Sequence, residues 1–254
     1  KGGGMRLAHA PREINLGATA TGTGINAHRD YAERVRATLS ELTGVALVTA
    51  PDLIESTQDC GVFVHLSGVL KRIAVKLTKI CNDLRLLSSG PRAGLGEINL
   101  PPRQSGSSIM PGKVNPVIPE VVNQIAFEVI GNDVTVTLAA QAGQLQLNAF
   151  EPIIAHSLFK SFAHLRHGCL TLATHCVAGI TANRDHLRRQ VEHSVGLATA
   201  LNPHLGYVTA TSIAMEAQAT GEGVREIVLR RGLLTADALD AILQPGLLTR
   251  PLQG

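Results

Sequence analysis

Residues 51–88 read PDLIESTQDCGVFVHLSGVLKRIAVKLTKICNDLRLLS, and this stretch decides the fold class of the 254-residue chain. Pro51 suits a first helical turn, and Gly90-Pro91 ends the pattern. Apolar residues recur at helical spacing between these limits, at Leu53, Ile54, Val69, Ile73, Leu77, Ile80 and Leu84. One uninterrupted helix here would be on the order of 50 Å long, which is too long for a compact single-chain domain and predicts a bundle.

Three further helical patterns belong to the same predicted bundle. The first covers residues 30–43 and ends at Gly44. The other two run from about 119 to 142 and from about 152 to 177, and neither has a proline in its interior. We therefore expect an all-α fold in which residues 1–180 form a central helical bundle.

The helical patterns become shorter after Gly179, where they alternate with breaks. The last pattern, TADALDAIL, begins with Thr235, a residue suited to cap it. We expect residues 181–254 to form a small C-terminal helical domain, and we find no convincing strand and no internal repeat in the chain.

Composition excludes several functional classes. Hydrophobic residues make up 44% and charged residues 17%, and the net charge is only +3. Because no cluster of Lys and Arg is interleaved with aromatic residues, nucleic acid is not an expected partner. No apolar run reaches the length of about 18 residues that a membrane span needs, so we expect a soluble, cytoplasmic protein without a membrane partner.

The four cysteines predict neither a disulfide nor a metal site. They lie in helical patterns without a CxxC spacing, which favours buried free thiols. The four are Cys60, Cys81, Cys169 and Cys176.

The histidines and glycines do not predict a cofactor either. Four histidines fall on one predicted helix without acidic or cysteine ligands at metal spacing: His156, His164, His167 and His175. Gly22 and Gly24 are not interpreted as a dinucleotide fingerprint, because we expect no strand before them and no βαβ unit after them. We expect no metal and no cofactor.

One segment, SGSSIMPGKVNP at residues 105–116, interrupts the helices within a long loop at about 89–118. Gly106 frees the backbone before Ser107 and Ser108, so that amide groups can converge on an anion. Lys113 and Asn115 lie between prolines and could hold a carboxylate. The alternative is a flexible surface loop in which Ser, Gly and Pro only form turns.

The segment GSSIMPGKVNP resembles the signature of the aspartase/fumarase superfamily, a glycine-serine pair followed at fixed spacing by Met, Lys and Asn. The resemblance covers essentially residues 6–250. The matching stretches are more similar in sequence to the aspartate ammonia-lyases than to the class II fumarases. Other stretches that carry it are INLGATATGTGIN, NDLRLLSSGPRAGLGEINLP, NQIAFEVIGNDVTVTLAAQAGQLQLNAFEP, GITANRDH, ALNPHLGY and VREIVLRRGLLT.

The resemblance implies a reaction and a role for each site residue. The implied reaction converts L-aspartate to fumarate and ammonium without a cofactor, through proton abstraction beside a carboxylate. Ser107 matches the base, and Ser108, Lys113 and Asn115 match positions that hold substrate carboxylate. Glu120 matches an acidic residue that orients a histidine from elsewhere, although a helix N-terminus also favours Glu there. The loop would act as a lid that excludes water.

Several expectations follow from the family's usual architecture. Its members are homotetramers of chains nearly twice this length, and the upstream threonine and serine positions and the Thr-His segment have no counterpart in this sequence. The bundle is therefore expected to be incomplete at its N-terminal end, and the 254 residues by themselves to assemble with little lyase activity, some of which the missing half should restore when supplied as a separate chain. The alternative is that the sequence is a fragment of an intact, active enzyme. Two alternatives stay open, a class II fumarase acting on malate and a truncated, non-catalytic assembly module.

Overall fold

The computed structural model of this chain describes residues 12–90, 92–104, 109–110 and 112–249. These residues are mostly helical, and each strand among them has only two residues, which confirms the predicted all-α fold. The described residues form two compact units, 12–87 with 100–180 and 88–99 with 181–249. None of their helices has the combination of length and hydropathy that crossing a bilayer requires.

Three long helices dominate the first unit. In chain order its helices are α1 (Tyr31–Thr43), α2 (Leu53–Gln58), α3 (Gly61–Leu87), α4 (Val117–Gln141) and α5 (Glu151–His175). α4 packs against both α3 and α5. Ala74 and Ala126 are fully buried in the shared core, and their small side chains let the helices approach closely. Buried Asp133 accepts hydrogen bonds from Ser67 Oγ at 2.8 Å and Lys71 Nζ at 2.7 Å, which link α3 to α4.

The predicted single helix over 51–88 is wrong, because the chain breaks between α2 and α3. Asp59 is extended, with φ −76° and ψ 121°. Asp52 caps α2 by accepting from two backbone N–H groups, those of Ile54 and Glu55. The Asp59 carboxylate lies over Gly61, where a Cβ would come within 3.0 Å of its Oδ2. The apolar periodicity continues across the break, so it could not reveal these local polar contacts.

The other helical predictions for the bundle are confirmed to within about two residues. α1 ends at Gly44, which takes the left-handed conformation with φ 67°. Pro119 and Pro152 both fall in the first turn of their helices, where a missing N–H costs no hydrogen bond.

Four short strands contradict the expectation that the chain has none. β1 (Glu13–Ile14) pairs in parallel with β2 (Val48–Thr49), and β3 (Ile98–Asn99) pairs antiparallel with β4 (Thr181–Ala182). Two-residue strands carry too little periodicity to be recognised from sequence.

The second unit encloses its own apolar core. Its helices are α6 (Arg184–Glu192), α7 (Asn202–Leu205), α8 (Tyr207–Thr220), α9 (Val224–Arg230), α10 (Ala236–Ile242) and α11 (Pro245–Leu248). Leu201, Ile213, Ile227 and Leu239 are completely buried in its core. Thr235 Oγ1 accepts from the Ala238 N–H at 3.3 Å, which confirms the predicted cap. Residues 88–99 belong to this unit, so the loop predicted at 89–118 is divided between the two units.

Candidate active site

The carboxyl-terminal half of the loop begins with a tight turn. The Lys113 N–H donates to the Met110 carbonyl oxygen at 3.2 Å, and Gly112 has φ 79°. The sequence Met-Pro-Gly-Lys has the proline and the glycine that a type II turn favours at its two central positions. The turn leaves the Lys113 side chain exposed to solvent.

Asn115 and Glu120 lie at the amino end of α4. The Asn115 carbonyl oxygen accepts from the Val117 N–H at 2.9 Å, and its side chain is exposed. Glu120 is half-buried in the first turn, and its N–H donates to the Pro116 carbonyl oxygen at 3.1 Å. The structure therefore brings Lys113, Asn115 and Glu120 to one helix end. Ser107 and Ser108 lie outside the described residues.

This helix end is electrostatically suited to an anion. Pro116, the N-cap residue of α4, makes no side-chain capping hydrogen bond. An uncapped helix N-terminus carries a partial positive charge, although the Val117 and Glu120 N–H groups already donate to carbonyl oxygens and Pro119 has no N–H. With the Lys113 ammonium immediately upstream, the arrangement can hold a carboxylate.

The amino-terminal side of the loop is fixed to the first unit by three residues. Leu100 packs on a buried cluster that includes Val122 and Leu172. Pro101 contacts Gly179 so closely that a Cβ there would come within 2.5 Å of the proline ring. Arg103 Nε donates to the His175 carbonyl oxygen at 2.9 Å.

Three cysteines have buried thiols of low reactivity, and two of them, Cys81 and Cys176, pack in the same cluster as Leu100. Burial raises the pKa of Cys81 to about 11, and the neighbouring Cys176 adds to the effect. Burial also raises the pKa of Cys176 and of Cys60. These thiols stay protonated near neutral pH and cannot act as nucleophiles. Cys169 is exposed, so its predicted burial is wrong: it lies on the outward face of α5.

One of the histidines takes part in an ion cluster between α4 and α5. His164 Nδ1 contacts Glu128, whose other oxygen lies 2.5 Å from Lys160 Nζ. The hydrogen bond from Lys160, together with that from His164, holds the pKa of Glu128 below its usual value. Within the described residues, no three His, Cys, Asp or Glu side chains form a group that could hold a metal ion.

The glycine-rich stretch near the amino end serves packing. Gly22 has φ 85°, and a Cβ there would come within 2.3 Å of the Ile54 Cα. Contrary to expectation, β1 precedes this stretch and β1–α1–β2 form a small parallel crossover. Neither β1 nor α1 adjoins Gly22, so the glycine does not form the strand-to-helix turn of a dinucleotide site.

An acidic cleft in the first unit was missed by the sequence reasoning. It has a volume of about 570 Å³, and every ionisable residue that lines it is acidic: Glu13, Asp52, Glu55, Asp59 and Glu151. These residues come from β1, α2 and α5 and the segments beside them, so their proximity depends on the tertiary fold. A cleft of this charge repels dicarboxylates, unlike the amino end of α4.

Comparison with known proteins identifies the family. The profile described as Lyase matches residues 5–131, and the one described as Fumarase C C-terminus matches residues 197–250. The chain belongs to this lyase family, which confirms the resemblance to the aspartase/fumarase superfamily.

Individual relatives refine the comparison. The chain is 59% identical over 234 residues to the aspartate ammonia-lyase of Helicobacter pylori strain 26695, covering 92% of this chain and 50% of that protein. It is 54% identical over 247 residues to the aspartate ammonia-lyase of Escherichia coli K12, covering 97% and 52%. The chain thus spans about half the length of the curated relatives it matches.

Solved structures agree with the fold. A crystal structure titled fumarate lyase:delta crystallin from Brucella melitensis, bound to cobalt, matches with TM-score 0.92 and 53% identity, covering 97% of this chain and 54% of that one. A class II fumarase from Schistosoma mansoni matches with TM-score 0.86 and 31% identity, covering 94% and 54%.

Proposed function

We propose that the chain functions as an aspartate ammonia-lyase, which converts L-aspartate to fumarate and ammonium. The observation that carries the proposal is the placement of Lys113 and Asn115 immediately before the uncapped amino end of α4. Support also comes from the relatives: the two aspartate ammonia-lyases described above are 59% and 54% identical, whereas the class II fumarase is 31% identical.

The proposed chemistry requires a strong base and well-placed hydrogen-bond donors. Removing a proton beside a carboxylate creates a doubly charged aci-carboxylate, so donors must bind best after the proton has left. Ser107, as an alkoxide, takes the proton from the carbon next to the side-chain carboxylate of aspartate. Collapse of the intermediate forms the carbon–carbon double bond as the bond between carbon and the protonated amino group breaks, which releases ammonia. Ammonia takes up a proton to become ammonium, and Ser107 gives up the proton it took before the next turnover.

The remaining site residues act on the charge that develops. Ser108, Lys113 and Asn115 hold the carboxylate that becomes an aci-carboxylate, and Glu120 has the supporting role that the family pattern implies. A nearby positive charge lowers the cost of ionising a serine, so Lys113 also favours the Ser107 alkoxide.

The proposal includes assembly into a homotetramer. Large apolar side chains lie exposed on the long helices, including Phe127, Leu138, Phe159 and Phe162, which are 43–73% exposed. Apolar patches on this scale mark surfaces that bind other protein. Copies of the same chain are the proposed partners, and native mass spectrometry should show a tetramer; a monomer would contradict this part of the proposal.

The function is tested by following fumarate absorbance after the purified protein, supplied with the amino-terminal half of a family subunit as a separate chain, is mixed with aspartate, with malate as the matched control. Fumarate should form from aspartate and not from malate, and the reverse reaction should require ammonium. Turnover of malate alone would replace the proposal with the fumarase reaction. Turnover of neither substrate would favour the non-catalytic assembly module.

A further inference from the structure

Asn183, at the start of α6, holds the segment at residues 95–99. Its Nδ2 donates to the Gly96 carbonyl oxygen at 2.7 Å and to Asn99 Oδ1 at 3.2 Å. Its Oδ1 accepts from Asn99 Nδ2 at 2.7 Å, and its backbone N–H donates to the Glu97 carbonyl oxygen at 2.9 Å. One residue therefore contacts three residues of this segment, more than 80 positions earlier in the chain.

Neighbouring residues strengthen the same attachment. β3, which includes Asn99, pairs with β4 just before Asn183. One turn into α6, His186 Nε2 lies 2.8 Å from the Leu95 carbonyl oxygen. Gly96 takes the left-handed conformation with φ 57°, and its N–H donates to the Ser89 carbonyl oxygen at 2.8 Å.

The attached segment, residues 95–99, leads directly into residues 100–103 of the candidate site loop. Residues 95–103 are together called the stem of this loop. Leu100, Pro101 and Arg103 follow, each with its own contact in the first unit. Long-range contacts therefore hold both parts of the stem, residues 95–99 within the second unit and residues 100–103 within the first.

We propose that Asn183 is a positioning residue, which fixes residues 95–99, the part of the stem from which the chain enters the candidate site loop. Its catalytic consequence rests on the proposed function. The amide supplies a donor to the Gly96 oxygen and an acceptor to Asn99 Nδ2, which also donates to Thr181 Oγ1 at 3.2 Å. Aspartate keeps only the acceptor, and alanine keeps neither.

Limited trypsin digestion tests the attachment without any reference to activity. The variants are Asn183→Ala and Asn183→Asp, and cleavage after Arg92 and Arg103 is timed by mass spectrometry. Loss of the side-chain hydrogen bonds should speed cleavage at these sites on the order of tenfold for Asn183→Ala, with Asn183→Asp intermediate.

Asn132→Ala is the matched control, because Asn132 Nδ2 donates to Ser161 Oγ at 3.0 Å within the bundle and touches no part of the stem. This variant should leave cleavage after Arg92 and Arg103 at the wild-type rate. Wild-type cleavage rates in Asn183→Ala, or equal acceleration in the control, would overturn the proposal.

Aspartate turnover of the same variants, each supplied with the amino-terminal half of a family subunit, tests the catalytic consequence. Asn183→Ala should lower kcat by about tenfold or more, because small displacements of reacting groups are costly, with KM and Tm close to those of the control. Faster cleavage with unchanged kcat would overturn the positioning role. If the wild type turns over no aspartate even with the amino-terminal half supplied, the proposed function fails, whereas the digestion still decides whether Asn183 anchors the stem.

Discussion

The core face of α4 and the loop that precedes α4 are adjacent in sequence but differ in the burial of their side chains. Val122, Val129 and Val136 recur along one face of the helix and are at most 2% exposed. Lys113 and Asn115 are exposed. Buried side chains contribute to stability by packing, whereas exposed loop side chains contribute little to it. Stability and activity should therefore be separable by mutation in this chain.

The largest expected effect is on the loop side of the comparison. Ser107→Ala should lower aspartate turnover by about a hundredfold to ten-thousandfold, because a positioned base is lost. The melting temperature and the oligomeric state should not change. Steady-state kinetics and differential scanning calorimetry measure the two properties.

Ser105→Ala is the matched control, since it removes a serine from the same loop outside the proposed pair. It should leave turnover close to wild type. Retained activity in Ser107→Ala would exclude Ser107 as the base.

A substitution in the core of the bundle should change stability strongly. Leu165 is 6% exposed in the core of the bundle, and Leu165→Ala should lower the free energy of unfolding by about 2–5 kcal/mol. Leu170 on the same helix is 54% exposed in the single chain, so Leu170→Ala should change the free energy of unfolding of the dissociated chain by about 0.5 kcal/mol or less. Urea unfolding measures both. Equal losses would show that the outward face of α5 is covered in solution.

Lys113→Met should have a smaller effect on activity than loss of the base. Removing a charge-assisted hydrogen bond to the substrate should cost about 1.5–3 kcal/mol, roughly tenfold to a hundredfold in kcat/KM. Lys76→Met, at an exposed position of α3, is the control and should leave the kinetics unchanged. A Lys113 variant with altered melting and normal kinetics would instead assign a structural role.

The smallest expected effect is the pH dependence of the ion cluster between α4 and α5. The pKa of Glu128 is lower in the folded state, chiefly through Lys160, so its stabilisation is present above about pH 4.5 and is lost as the pH falls through the folded pKa. Glu128→Gln should remove about 0.5 kcal/mol at neutral pH, and the difference from wild type should shrink in acid. Urea unfolding at several pH values measures this, and a difference that grows in acid would contradict it.

The sequence determined those features that depend on a few neighbouring residues. Gly44 ends α1 because glycine takes the left-handed conformation readily, and Thr235 caps α10 through its own hydroxyl. The amino ends of α4 and α5 follow from Pro119 and Pro152. The family signature also predicts Lys113 and Asn115 as residues that bind carboxylate, and the two lie together at one helix end.

Tertiary structure alone decided which distant residues meet. The exposure of Cys169 and the burial of Cys176 depend on which face of the chain contacts its neighbours. Glu128 meets His164, and Asn183 meets Gly96, only after the chain has folded. Helical periodicity reports one face over a few turns, but the partner of that face is chosen by packing among segments far apart in sequence. The attachment of the loop stem by Asn183 is therefore visible only in the folded structure.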